Sequence, residues 1–264
     1  MKSKKNLIRK LDELYKYYDN RKFVHPDPLE FLYGYPDIYD REIVALIASS
    51  LAYGRVIQIL KSVSTILNKM DPSPRSFLID SSEDKITRTF KEFKHRFTTG
   101  DEMAAMLIGA KHIVKEEKSL YESFLSQFND NDDTVLTALT GFVRRFNRKT
   151  EFTRNSLLPS PDLGSACKRL NLFLRWMVRT DRVDPGGWEK VPASKLIIPL
   201  DTHMHRIGIR LGMTDRKQAD MRAAIEITDA FRALSPDDPV KYDFSLTRLG
   251  IRKDADLDQF LENI

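Results

Sequence analysis

The chain has 264 residues, of which 41% are hydrophobic and 31% are charged, a composition typical of a folded globular protein and not of a disordered one. The net charge is +5, and the length is enough for one large core or two smaller subdomains. A single cysteine excludes an intrachain disulfide and a four-cysteine zinc or iron–sulfur site within one chain, as expected for a reducing compartment.

Helical periodicity recurs along almost the whole chain, whereas strand patterns are scarce. We therefore predict an all-α fold class. Asp40, Asp101, Ser119 and Asp132 stand at positions suited to helix caps. The predicted helices cover about residues 5–18, 40–54, 55–71, 84–95, 101–116, 119–128, 132–147, 164–179, 202–211, 215–234 and 239–249.

The sequence pattern favours a cytoplasmic protein that does not engage a membrane. The longest uncharged run near the start, residues 43–54, is too short to span a bilayer. The basic N-terminal segment is not followed by the unbroken apolar stretch of a secretory signal.

Positive charge is concentrated between Leu163 and Lys217. This segment holds 11 Lys/Arg against 5 Asp/Glu, whereas the rest of the chain holds 32 against 33. Such an excess is typical of a surface that binds phosphates. A chance fluctuation of surface charge is the alternative.

The predicted helix at 164–179 has a broad apolar face and a narrow polar stripe, as a central helix would. Lys168 lies in its first turn, beside Arg169, where the helix dipole and a neighbouring cation disfavour a protonated amine. Only the neutral amine is a nucleophile, so Lys168 is a candidate catalytic residue. The alternative is a solvated lysine on an exposed stripe. The polar stripe consists of Lys168, Arg175 and Arg179.

Asp201 follows the apolar run at 196–200 and precedes the predicted helix at 202–211. Its carboxylate should therefore emerge at the edge of a core, as a catalytic group or as an ordinary helix N-cap. The two roles are compatible, because a cap fixes the rotamer of the carboxylate. His203 and His205 are two residues apart and point in different directions on a helix, so we expect no metal site.

These two residues lie within patterns that resemble a known family. Residues 196–212 read LIIPLDTHMHRIGIRLG, and the turn at 158–164, LPSPDLG, precedes Lys168 by a few residues. Both segments resemble the helix-hairpin-helix (HhH-GPD) DNA glycosylases of base-excision repair. The resemblance covers about 55 residues specifically.

The resemblance implies a function and an architecture. Asp201 would stabilise the developing oxocarbenium ion, and Lys168 would attack the sugar C1′, expel the base and form a Schiff base before β-elimination nicks the strand. The implied protein is a single helical domain over 1–264, with a cleft between subdomains 40–155 and 1–39 plus 156–264. We expect a monomer without a cofactor that acts on damaged double-stranded DNA with a flipped-out nucleotide.

The chain also departs from the usual family pattern. Only Gly164 remains of the two hairpin glycines, and the endonuclease III four-cysteine cluster is absent. Lys168 and Asp201 are 33 residues apart, a long separation that is similar to the archaeal 8-oxoguanine DNA glycosylase branch. The resemblance therefore implies 8-oxoguanine as the expected substrate base.

Further site residues follow from the same resemblance. Trp188 would stack on the extruded base, or alternatively pack its loop onto the core. His203 is a second candidate for substrate binding. The expected nucleic-acid-binding residues are Gly164, Ser165, Arg169, Arg175, Arg179, Arg206 and Arg210.

Three other functions stay open at this point. Cys167 lies at a predicted helix N-terminus, which lowers a thiol pKa, and His203 or His205 could serve as its base; as an alternative, Cys167 is a small hydrophobic residue. A non-catalytic nucleic-acid-binding protein of the same fold would keep the arginines, with Lys168 and Asp201 inactive. A protein-interaction scaffold would bind no nucleic acid.

Overall fold

The computed structural model describes residues 2–148, 155–251 and 260. Within this part of the chain there are twelve α-helices and one two-stranded antiparallel hairpin. The predicted all-α class is confirmed.

The chain divides into two compact units. The terminal unit comprises Met1–Phe23 and Gly164–Ile264, and the middle unit comprises Val24–Leu163. The subdomains that the family resemblance implies have their boundaries at about 40 and 155, so the boundaries of the compact units lie 16 and 8 residues away from them.

The middle unit contains seven helices and the hairpin among its described residues. Short 3-10 segments lie at Pro28–Gly34 and Pro161–Leu163. The regular elements are α2 (Ile38–Ser50), α3 (Val56–Asn68), α4 (Pro74–Asp80), α5 (Glu83–Phe90), β1 (Lys94–His95), β2 (Thr98–Thr99), α6 (Gly100–Glu117), α7 (Leu120–Leu125) and α8 (Leu136–Asn147).

Helices α2 and α6 form the core of the middle unit. Every residue of α2 from Glu42 to Ser50 is buried, which is the pattern of a helix covered on all sides. Glu42 accepts hydrogen bonds from the Leu120 and Tyr121 amides and so supplies an anion to the first turn of α7. A capping box formed by Thr99 and Glu102 starts α6.

The terminal unit contains five helices, α1 (Lys2–Tyr18), α9 (Lys168–Val178), α10 (Thr202–Arg210), α11 (Met221–Arg232) and α12 (Asp243–Ile251), with short 3-10 segments at Arg21–Phe23 and Ala193–Lys195. All residues from Leu170 to Val178 are buried, so α9 is the central helix of this unit. The central position predicted for this helix is therefore confirmed.

Several predicted boundaries differ from the structure for identifiable reasons. Asp37, not Asp40, caps α2, and the Asp40 carboxylate instead accepts bonds from Ser73 and the Arg75 amide at the start of α4, a seven-residue helix that the periodicity did not reveal. The predicted helix at 84–95 ends at Phe90, and its last two residues form β1.

The predicted caps have mixed outcomes. Ser119 caps α7 by accepting a bond from the Glu122 amide, as predicted. Thr99 caps α6 in place of Asp101, and Val135 stands at the cap position of α8 in place of Asp132. No helix of the described residues has the length and apolar character needed to cross a membrane.

Candidate functional site in the terminal unit

Asp201 occupies the N-cap of α10. One carboxylate oxygen accepts a hydrogen bond from the Met204 amide at 2.8 Å, which confirms the predicted capping role. The preceding run at 196–200 is buried, and the Ile198 amide donates to Thr228 Oγ1 of α11 at 3.0 Å. The run thus anchors Asp201 between the core and α10, and the half-buried carboxylate keeps one orientation.

A second carboxylate lies close to Asp201. Asp243, in the first turn of α12, is buried, and its Oδ2 accepts a bond from Arg175 Nη1 at 2.5 Å. Burial raises the pKa of Asp243 to about 6, against the opposing charge of Arg175, and the negative charge of Asp201 adds to the rise. The charges of Asp201 and Asp243 therefore interact across a poorly solvated region of the terminal unit.

Lys168 is the first residue of α9 and is half-buried. The helix begins four residues later than the predicted 164, because Cys167 takes a left-handed backbone conformation with φ of 47°. Lys168 still lies in the first turn of this helix, as the sequence predicts. Lys168 and Asp201 thus belong to the same compact unit, each at the N-terminal end of a helix.

The segment before α9 is tied to α11. The Met221 amide donates to the Gly164 carbonyl at 3.2 Å, and Ser165 pairs with Asp220, which caps α11. Gly164 has φ of +74° and open space where a side chain would project, so its backbone conformation alone favours glycine here. Gly164 and Ser165 are both exposed, which leaves them available for the expected phosphate contact.

Cys167 does not have the environment of a reactive thiol. The side chain is 1% exposed, and burial raises the pKa of the thiol to about 11. This corrects the expectation of a lowered thiol pKa at the helix N-terminus, because the loss of solvation outweighs the hydrogen bond with Ser165 and the positive charge of Arg169. Of the proposed bases, His205 donates its Nε2 hydrogen to the Arg216 carbonyl at 2.9 Å, which fixes the loop after α10.

Arg175 and Arg179 are interior residues with exposed fractions of 4% and 5%. Arg175 forms ion pairs with Asp184 and Asp243. Arg179 also pairs with Asp184, and it lies 2.9 Å from both Asp181 and Asp238. Burial opposes their charge, yet the surrounding carboxylates raise the pKa of both guanidinium groups. This corrects the expectation that they contact DNA phosphates: a buried arginine saturated by aspartates presents no charge to a ligand.

Trp188 is part of the core and is 0% exposed. Its ring meets Phe173 of α9 edge to face at 5.1 Å, and its amide donates to the Met177 carbonyl at 2.8 Å. This corrects the expectation that Trp188 stacks on an extruded base, since no face of the ring is open to a ligand. The alternative role, packing the connection at 180–200 onto the core, is the one observed.

The remaining basic residues keep the positive segment at the surface. Arg206 and Arg210 are exposed on α10, and Arg169 and His203 are half-exposed. When the buried Arg175 and Arg179 are set aside with their partners Asp181 and Asp184, nine basic residues still stand against three acidic ones between Leu163 and Lys217. The local excess of positive charge is therefore a property of solvent-accessible side chains.

Sequence reasoning missed Asp184 and Asp243. Asp184 is 0% exposed and joins both buried arginines, and Asp243 joins Arg175 to the neighbourhood of Asp201. The only available signal was the placement of Arg175 and Arg179 on a helix otherwise apolar on nearly every side, which requires buried counter-charges somewhere in the chain. No group of three or more potential metal ligands is found in the described part of the chain.

The comparisons with known proteins define a family. The family described as "Protein of unknown function (DUF2400)" matches residues 27–252, and the chain belongs to it. No curated protein and no solved structure matches the chain significantly.

Proposed function

We propose that this protein is a DNA base-excision glycosylase with AP lyase activity, in which Lys168 is the nucleophile and Asp201 the stabilising carboxylate. The observation that carries the proposal is the placement of Asp201: a half-buried carboxylate, fixed by the Met204 amide, in the unit whose central helix begins at Lys168. The sequence resemblance to helix-hairpin-helix glycosylases at these same residues supports it.

The chemistry suits these two side chains. As the glycosidic bond breaks, the base leaves with the electron pair and takes up a proton, while positive charge builds on the sugar. A carboxylate in a poorly solvated position stabilises that charge, and a fixed orientation avoids the cost of reorganisation. The neutral amine of Lys168 then bonds to C1′, and opening of the sugar ring gives the Schiff base from which β-elimination releases the 3′-phosphate.

The surface around these residues supports a nucleic-acid partner. The exposed positive charge of the segment from Leu163 to Lys217 provides attraction to phosphates. Arg206 and Arg210 project from the helix that Asp201 caps, and Gly164 and Ser165 precede the helix that Lys168 begins. Damaged double-stranded DNA is the proposed substrate, with 8-oxoguanine as the first base to test.

Borohydride trapping tests the lysine. The wild type is incubated with duplexes carrying 8-oxoguanine, uracil, thymine glycol or an abasic site, and covalent adducts are resolved by electrophoresis. We expect an adduct that Lys168→Ala abolishes and that Lys217→Ala, which changes an exposed lysine of the same unit, retains. Far-ultraviolet circular dichroism confirms that both variants are folded.

Asp201→Asn separates catalysis from capping. Asparagine accepts the Met204 amide bond as well as aspartate does, so the variant keeps the helix cap and loses only the charge. We expect base excision to slow by about 100-fold or more, while trapping on a preformed abasic site persists. Salt-sensitive binding without any adduct, and without preference for damaged bases, would instead identify the non-catalytic nucleic-acid-binding protein.

A further inference from the structure

An exposed aromatic and a strained arginine form the turn of the hairpin in the middle unit. The pairing of Lys94 with Thr99 and of His95 with Thr98 leaves Arg96 and Phe97 as the two turn residues. Arg96 has φ of 54°, and the Phe97 side chain is 64% exposed. Two-residue hairpin turns favour Asn and Gly, so this pair is not explained by the needs of the turn itself. Departures of this kind are concentrated at functional sites.

The exposed ring is held in a fixed position by the residues beneath it. Phe97 stacks on Tyr53, with ring centroids 5.0 Å apart and an interplanar angle of 25°. The Tyr53 hydroxyl donates to the His95 carbonyl at 2.9 Å or bonds to Thr98 Oγ1 at 2.6 Å. One face of the Phe97 ring is therefore supported from within the protein.

Buried His95 fastens the hairpin to α3. Its Nε2 lies 3.0 Å from the Tyr53 carbonyl, which can only accept, so this nitrogen donates. Its Nδ1 lies 2.8 Å from Ser62 Oγ of α3. The hairpin is thus joined to the connection before α3 and to α3 itself, and the turn is a rigid projection and not a free loop.

The Arg96 side chain lies across Gly54. A Cβ on Gly54 would come within 2.8 Å of Arg96 Cδ and 3.0 Å of its Nη1, and Gly54 has φ of +97°. Glycine at this position therefore permits both the backbone conformation and the close approach of the arginine. We call Tyr53, Gly54, Arg96 and Phe97 the aromatic tip.

The segments that build the aromatic tip carry an excess of positive charge. The two segments that build it, residues 53–61 and 91–98, contain five Lys/Arg and one Asp/Glu. Arg55, Lys61, Lys94 and Arg96 are all exposed. Ile57, 74% exposed on the first turn of α3, adds an apolar surface to the same segment. The combination is an exposed ring in segments rich in cations, which fits a polyanion that carries flat, apolar groups.

We infer that the aromatic tip is a binding site for unpaired nucleotides of single-stranded DNA, with Phe97 stacking on a base and Arg96, Arg55 and Lys94 contacting the flanking phosphates. A base has a flat face of the size of the phenyl ring, and stacking tolerates any sequence. The site lies in the middle unit and requires neither Lys168 nor Asp201, so it goes beyond the proposed glycosylase activity.

Fluorescence anisotropy of a labelled oligothymidine of about 16 nucleotides tests this site at low salt. We expect Phe97→Ala to weaken binding by about tenfold and Phe97→Trp to retain it, because the loss of one stacked base has that magnitude. Arg96→Gln should reduce the slope of log affinity against log salt by about 0.7, the value for one phosphate contact on a single strand. An intact duplex of the same length should bind equally to the wild type and Phe97→Ala.

Tyr39→Ala is the matched control. Tyr39 is another exposed aromatic residue of the middle unit, and its ring lies beside Arg75. It is in the first turn of α2, whereas Tyr53 of the aromatic tip follows the last turn, roughly 20 Å further along the helix axis. We expect no change in oligothymidine binding from this substitution.

Two results would overturn the assignment. One is oligothymidine binding that is absent in the wild type or equal in the wild type and Phe97→Ala. The other is a wild-type dimer that Phe97→Ala converts to monomer in sedimentation, which would identify the tip as a self-association surface. Neither result affects Schiff-base trapping at Lys168. Oligothymidine binding therefore tests the aromatic tip, and borohydride trapping tests the proposed glycosylase function independently.

Discussion

At the scale of single residues, Asp243 is a buried carboxylate with a raised pKa near the candidate site. Burial raises its pKa to about 6, even though Arg175 donates to it at 2.5 Å. The charges of Asp201 and Asp184 oppose its ionisation as well. The folded protein therefore holds a proton on this group at pH values where the unfolded chain, with an ordinary pKa of 3.8, has released it.

This difference predicts how stability depends on pH. Asp243 contributes stability that is full below about pH 4 and is lost as the pH rises through about 6, because the folded state binds the proton more tightly. We expect the difference in unfolding free energy between wild type and Asp243→Asn to fall by up to about 3 kcal/mol over that interval. Urea denaturation at a series of pH values measures it.

The control for this prediction is Thr247→Ala, a substitution on the same helix that removes no titratable group. Its difference from wild type should stay constant across the same pH range. If the difference in unfolding free energy between wild type and Asp243→Asn does not change between pH 4 and 6, the raised pKa does not belong to Asp243.

Residue roles that depend on local sequence could be predicted, and those that depend on distant partners could not. Asp201 as an N-cap follows from an aspartate between an apolar run and a helix, and the structure has that cap. Arg175 and Arg179 looked like a polar stripe because two of their counter-charges, Asp238 and Asp243, lie more than 50 residues further along the chain, and Asp181 and Asp184 lie beyond the end of the helix, in a connection whose path the sequence does not show.

At the scale of elements, the connection between α9 and α10 is a packed structural segment. Its Gly186 amide donates to the Trp176 carbonyl at 3.0 Å, and its Asp184 neutralises the two buried arginines. The turn at Gly186 has φ of +64°, and a Cβ there would lie 2.0 Å from Thr180 Oγ1 and 2.9 Å from the Arg179 carbonyl. The connection therefore closes over the end of α9 only with glycine at this position.

A pair of glycine substitutions tests this packing. Gly186→Ala incurs both the cost of a positive φ and a clash with backbone, whereas Gly212, with φ of +65° and nothing nearby, incurs the first cost alone. We expect Gly212→Ala to lower the unfolding free energy by about 1 kcal/mol and Gly186→Ala by about 3 kcal/mol or more. Urea denaturation measures the unfolding free energy of both variants. Equal losses would show that the backbone at Gly186 shifts to accommodate a Cβ at little cost.

The elements that sequence predicted best are those with strong local signals. Helices α1, α6 and α10 begin and end within about three residues of the predicted bounds, because periodicity and caps lie within each segment. The start of α9 was misplaced because residues 164–166 are held by α11, through the Gly164 carbonyl and the pairing of Ser165 with Asp220. The hairpin was missed because two-residue strands carry almost no periodic pattern.

At the scale of the whole molecule, the two compact units differ in how the chain builds them. The middle unit is continuous from Val24 to Leu163, and its α2–α7 link, made by buried Glu42, lies within that range. Lys111 makes a second internal link, donating to the carbonyls of Leu78, Ile79 and Ser81 at the end of α4. The hydrogen bonds that organise this unit therefore come from its own sequence.

The terminal unit, by contrast, depends on α1, and in the sequence the whole middle unit lies between α1 and the other helices of the terminal unit. Asp12 of α1 accepts bonds from Lys241 and Tyr242 at 2.7 and 2.9 Å, and the Tyr15 hydroxyl donates to Asp181 of the buried ionic network at 3.0 Å. Leu11 is 0% exposed. Helix α1 thus supplies both apolar contacts and hydrogen bonds to the second half of its unit.

This asymmetry predicts the behaviour of fragments. A fragment of residues 24–163 should fold alone and unfold cooperatively, because its core and its polar links are internal. A fragment of residues 164–264 should lack a cooperative transition until a peptide of residues 1–23 is added, because without α1 the apolar face that covers Leu11 is open to water and Asp181 loses its tyrosine partner. Thermal unfolding followed by circular dichroism compares the three samples. Cooperative unfolding of the fragment 164–264 without the peptide would show that α1 is dispensable. If the fragment 24–163 does not unfold cooperatively, the middle unit depends on the rest of the chain.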